Sequence, residues 1–121
     1  AVGGDFNLVG ARTPVSAIGT ALDLDGSDLD PAMPFQFDGI SNATWRSSGN
    51  DFLPGRLDWI LSSGSTLTPA KAFVFSAEDL SPAAIAALKL PPSALKEPSD
   101  HQPVVVDFHL TAPAPAPAPT K

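Results

Sequence analysis

The sequence predicts an α/β domain, mostly strands with two short helices, on three observations. Leu57 to Leu61 alternates, with Leu57, Trp59 and Leu61 on one side and Asp58 and Ile60 on the other, which is the period of a strand. Val104 to Val106 with Phe108 is a β-branched apolar run that reads as a strand buried on both faces. Thr13-Pro14 and Ser81-Pro82 each place a capping residue before a proline suited to the first helical position.

In chain order, residues 1–7 read as a strand end and its turn. Thr13 as N-cap, with Val15, Ile18 and Leu22 at helical spacing, predicts a helix over 14–22. Asp23, Asp25, Asp28 and Asp30 crowd one short stretch. That stretch reads as a solvated acidic loop; a calcium loop is the sharper alternative, but Gly26 does not stand where an EF-hand needs its glycine. Pro31 and Pro34 keep the next segment irregular. Thr44-Trp45-Arg46 reads as a short strand, and Ser47 to Asp51 as a turn or loop. Asn42-Ala43-Thr44 is a glycosylation sequon, read as chance. After the 57–61 strand and the turn Ser62-Ser63-Gly64-Ser65, Ala72 to Phe75 is a further strand. A helix from 82 to about 89 is expected to turn Ile85 and Leu88 inward, and Pro91-Pro92 ends it. Residues 93–98 form a loop that delivers Ser99-Asp100-His101 to the last strand. Strict Ala-Pro repeats over 112–119 favour extended polyproline II and cannot build a core, so the domain is placed at 1–110 and a linker or tail at 111–121.

Composition bounds the function. The chain has 121 residues, 43% of them hydrophobic, enough for one small core. Seven basic residues stand against 13 acidic ones, for a net charge of −6, and the basic residues are scattered. A protein that grips a duplex through its phosphates carries a basic stripe, so nucleic acid is a possible ligand that charge does not support. With no cysteine, disulfides and thiolate metal sites are excluded. No apolar run approaches a membrane span. The compartment stays open, with an exported or cell-surface bacterial protein the favoured placement.

Three polar motifs remain: Gly4-Asp5-Phe6-Asn7, Arg56-Leu57-Asp58-Trp59-Ile60 and Ser99-Asp100-His101-Gln102-Pro103-Val104. In this order they resemble the C-terminal half of the endonuclease/exonuclease/phosphatase superfamily, with its DNase I-like fold, over residues 1–110. The resemblance implies the second half of a four-layer α/β sandwich, with the strands at 2–6, 57–61 and 103–108 in one sheet. It implies a phosphoesterase site in which Asp5 orients or deprotonates the attacking water and Asn7 donates to a phosphoryl oxygen. His101 contacts the phosphate as a cation, Asp58 orients its ring, and Asp100 lies near a bound Mg²⁺ or Mn²⁺. His109, the other histidine, reads as a surface residue with no role.

The same resemblance places the main metal-binding glutamate in the N-terminal half, and neither Glu78 nor Glu97 sits in a matching motif. A complementary half, as a separate chain or a missing segment, is therefore an expected partner, and this chain alone is expected to be inactive. The alternative is a non-catalytic structural or assembly component built from a half-domain, to which the Ala-Pro tail points. A calcium- or carbohydrate-binding module would rest on Asp23 to Asp30 alone.

Overall fold

A computed structural model describes residues 1–47, 49, 51–91 and 99–111. The expected loop at 93–98, the end of the Pro91-Pro92 stop and the Ala-Pro run at 112–119 lie outside the described residues. In order, the elements are β1 (Val2–Asp5), α1 (Thr13–Gly19), β2 (Asp30–Pro31), β3 (Asp58–Ser62), β4 (Leu67–Val74), a 3₁₀ turn (Ala77–Asp79), α2 (Pro82–Ala87) and β5 (Val104–Leu110). The small α/β architecture with two short helices is as expected; among the described residues it comprises two sheets, and four layers are not seen.

The first sheet has the order β1-β3-β2, with both pairings antiparallel. β3 is central because its alternation gives it a buried side: Leu57 just before it, Trp59 and Leu61 are all buried, while Asp58 and Ile60 are half-buried. Val15 of α1 and Leu29 pack on Trp59 and Leu61, with Phe6 and Leu8 against them, and this is the core. α1 approaches β3 closely at Gly19, where a Cβ would meet Leu61 Cδ2 at 3.2 Å and the Leu29 carbonyl at 3.3 Å.

The second sheet pairs β4 with β5, antiparallel, and corrects two expectations. The 103–108 strand does not join 2–6 and 57–61 in one sheet; its ladder runs along β4, from Val74↔Val104 to Leu67↔Leu110. Nor is it buried on both faces, since Val104 to Val106 and Phe108 are half-buried and Asp107 is exposed. Among the described residues β5 has one strand neighbour and only partial cover, so β-branched composition alone did not imply two-sided burial. β4 carries an irregularity between Pro69 and Lys71, where proline has no N–H to give the ladder.

The helices are shorter than expected. α1 stops at Gly19 because Thr20 is extended and Ala21 is left-handed, with φ 55°. Leu22 therefore falls outside and is exposed, and Arg12 rather than Thr13 takes the N-cap. α2 starts as expected, with Ser81 Oγ accepting from Ala84 N at 3.2 Å. It ends at left-handed Lys89, where Leu90 N donates to Ile85 O and Lys89 N to Ala86 O, a Schellman closure. Ile85 is half-buried, but Leu88, at the C-cap, is exposed rather than inward. Residues 44–46 are no strand: Trp45 alone makes isolated bridges, to Gly55 and His101.

The acidic loop is not simply solvated. Asp23 is buried, and its carboxylate accepts from Ser63 Oγ, Ser65 Oγ, Ser65 N at 3.0 Å and Leu24 N at 2.6 Å. Asp25 closes the turn by accepting from Ser27 N at 3.0 Å, and Asp28 accepts from Ala21 N at 2.9 Å. The loop is thus a staple between the end of α1 and the β3–β4 turn. The serine hydroxyls and the Ser65 N–H hold the Asp23 carboxyl far below the usual carboxylate range. A depressed folded pKa stabilises above the unfolded value of ~3.9, and that stabilisation is lost as pH falls toward the folded value. Asp23→Ala should therefore lower the melting temperature at pH 7 and leave a smaller deficit near pH 2; an equal deficit at both would show that the carboxylate charge is not what the loop uses.

Candidate active site

Antiparallel register sets the site. Asp5, the last residue of β1, lies opposite Asp58, the first of β3, so two carboxylates meet at one end of the first sheet. Asp5 Oδ1 accepts from Asn7 N at 2.8 Å, closing a turn in which Asn7 is left-handed, φ 51°, a conformation asparagine tolerates. Phe6 N donates to Leu57 O at 2.9 Å, which keeps the strand ends together past the ladder.

His101 arrives from the second sheet's side. Its backbone bridges Trp45, its N–H donates to Ser99 Oγ at 3.0 Å, and Nδ1 meets Asp58 Oδ2 at 2.8 Å. That hydrogen bond is the largest influence raising the His101 pKa; desolvation opposes it, and the charges of Asp58, Asp5 and Asp100 add to it. With Nδ1 engaged, the other ring nitrogen, Nε2, has no hydrogen-bond partner among the described residues. One ligand atom each from Asp5, Asp58 and His101 lies within 4.8 Å of the others.

Segment 44–46 holds this together, and reading the sequence as a strand there missed it. Thr44 is fully buried. Its hydroxyl donates to Asp58 Oδ2 at 2.7 Å and accepts from Leu57 N at 3.0 Å and Asp58 N at 2.9 Å. Trp45 Nε1 donates to Asp100 Oδ2 at 2.7 Å, and Arg46 N to the Asp100 carbonyl at 3.0 Å. Gln102 N donates to Thr44 O at 2.7 Å, and buried Gln36 links Gln102 Oε1 (2.7 Å) to the Ala43 carbonyl (2.8 Å). Reading Thr44-Trp45-Arg46 as a strand gives Thr44 no role; its contacts reveal one.

Asp5, Asn7 and His101 line a cleft of about 740 Å³, walled by Leu8 to Arg12 on one side and by Trp45 and residues 51–57 on the other. Asp58 stands behind His101. Asp100 is adjacent in sequence but lies outside the Asp5-Asp58-His101 group, with its carboxylate turned to the Trp45 indole. His109 is exposed in β5, paired with Thr68.

Asp5 Oδ2, Asp58 Oδ1 and Asp100 Oδ1 have no hydrogen-bond partner among the described residues. The Asp5 and Asp58 carboxylates, beside the His101 ring, are a donor set that suits a hard divalent cation.

A family model described as the Endonuclease/Exonuclease/phosphatase family matches residues 1–101. No curated protein and no solved structure matches the chain.

Proposed function

The chain belongs to the Endonuclease/Exonuclease/phosphatase family, which points generally to hydrolytic nuclease or phosphatase activity, and from that premise we propose that it supplies one side of a metal-dependent phosphoesterase site. The observation that carries this reading is the 2.8 Å contact of His101 Nδ1 with Asp58, beside Asp5 at the mouth of an open cleft. A pairing across 43 residues of chain, reinforced by a buried threonine, is more than a surface ion pair.

In this reading Asp58 fixes the His101 ring with Nδ1–H donated to the carboxylate. The raised pKa favours the imidazolium, whose Nε2–H would donate to a phosphoryl oxygen where charge builds up. Asp5 accepts a proton from, or orients, the attacking water. Asn7, held by its turn to Asp5, contributes an amide donor to the phosphoryl group. Mg²⁺ or Mn²⁺ held by the carboxylates of Asp5 and Asp58, with Asp100 reaching it only through water, would neutralise phosphoryl charge and lower the pKa of bound water.

A complementary half, as another chain or a further segment, belongs to the same proposal. β1 is an edge strand whose four residues are all exposed, and Val9, Phe52 and Leu53 around the cleft are exposed apolar side chains. The substrate is a phosphodiester or phosphomonoester. The test is hydrolysis of bis(p-nitrophenyl) phosphate and p-nitrophenyl phosphate by the assembled protein, with Mg²⁺, with Mn²⁺ and with EDTA. Turnover that requires metal is expected. Turnover unaffected by EDTA would remove the metal from the mechanism, and none under any condition would favour the non-catalytic assembly reading.

A further inference from the structure

The cleft holds a pair of arginines that the chemistry above does not use. Arg12 and Arg56 both line it, and both guanidinium groups lie on one indole, with Arg56 Cζ 3.9 Å and Arg12 Cζ 5.8 Å from the Trp59 ring centroid. Arg56 is fastened by its structure: Nη1 donates to Met33 Sδ at 3.0 Å and Nη2 to the Ala32 carbonyl, while its buried Nε has no partner among the described residues. Arg12 is exposed, and its guanidinium makes no hydrogen bond among the described residues.

The chain has 13 carboxylate side chains against seven basic ones, yet no carboxylate of the described residues lies within ion-pair distance of either arginine. Arg46, away from the cleft, does have such a partner in Glu78 at 2.6 Å. Two cations sharing a ring repel each other. Burial and the charge of Arg12 together push Arg56 down to about 10. An anion between the cleft walls would relieve that repulsion and engage the unused donors of Arg12 in the forked geometry guanidinium offers phosphate. The cleft is also larger than one phosphoryl group needs.

We propose that Arg12, backed by Arg56 on the Trp59 indole, is an anion subsite that takes a second phosphate of the substrate, so that the preferred substrate is a phosphodiester carrying a further phosphate group. This rests on the phosphoesterase reading for the scissile phosphate, though the anion site itself does not. A second phosphate has two sources, a nucleotide chain or a phosphorylated polyol headgroup, and its recognition by Arg12 is the same chemistry in both.

The experiment compares kcat/KM in two matched pairs with the assembled, metal-loaded protein: thymidylyl-thymidine with and without a 5′-phosphate, and glycerophosphoinositol with and without a ring phosphate. The phosphorylated member is expected to be favoured about tenfold in at least one pair, mainly through KM, as a charge-assisted hydrogen bond provides. The favoured pair identifies the source. Arg12→Glu should abolish the preference and Arg12→Lys should retain part of it. A preference in neither pair, or one that survives Arg12→Glu, overturns the proposal. Independently of turnover, inorganic pyrophosphate without metal is titrated while fluorescence of the two tryptophans is followed. Saturable binding lost in Arg12→Glu supports the subsite even if neither pair is hydrolysed, in which case only the phosphoesterase reading falls. Absence of saturable binding to the unaltered protein overturns the subsite.

Discussion

His101→Ala is expected to lower the turnover of a phosphodiester by roughly two to four orders of magnitude in the assembled protein, the range seen when acid–base or charge-stabilising groups are removed. The variant deletes the cationic donor that faces the phosphate and leaves Asp58 Oδ2 with Thr44 as its remaining partner. His109→Ala is the matched control, because His109 is exposed in β5 and touches nothing of the site. The pH profile carries a sharper mark. Asp58 raises the His101 pKa, so the imidazolium persists above the ordinary ~6.5 and activity that depends on it should fall as pH rises through the raised value. Asp58→Asn removes the charge behind the ring and should move that limb to lower pH. By the same sign, stability from the pair is full below the unfolded pKa and is lost as pH climbs through the folded one. Equal turnover in the unaltered protein and in His101→Ala would end the catalytic reading.

The parts of this site that were legible in the sequence are those where a polar residue interrupts a strand pattern. Asp58 breaks an alternating apolar run, Asp5 and Asn7 lie at a Gly-rich strand end, and His101 precedes a β-branched run; the family-like motifs told which breaks belong together. Alternation also placed Leu57, Trp59 and Leu61 on the buried side of β3, because period two is local information. Sheet membership is not local. The strand after His101 pairs with β4 rather than with β1 and β3, a choice made by contacts between residues far apart in sequence. Asp23 illustrates the same limit for charge. Four aspartates crowded into one loop look solvated, and what buries one of them is a pair of hydroxyls on a turn some 40 residues away. The role of Thr44 was hidden for a similar reason, since it rests on three hydrogen bonds to partners 13 and 14 residues on.

Thr44→Val is expected to destabilise the protein by about 2–4 kcal/mol and to impair turnover, whereas Thr44→Ser should be mild in both. Valine keeps the shape of threonine but has no hydroxyl. The substitution strands the N–H groups of Leu57 and Asp58 in a buried place, and each such group costs about 1–3 kcal/mol. It also takes away the donor that fixes Asp58 Oδ2, so the carboxylate that aims His101 gains freedom to rotate. Serine keeps all three hydrogen bonds and loses one methyl group, worth about 0.8 kcal/mol. The stability prediction is read from denaturant midpoints, and the positioning prediction from kcat with KM followed separately. Loss of a positioning contact should appear in kcat, by about tenfold, because the ring must be aimed when charge develops on the phosphoryl oxygens. If valine and serine destabilise alike and reduce kcat alike, the methyl group and its packing are what matter at this position. If valine destabilises while kcat holds, Thr44 supports the strand end without aiming Asp58.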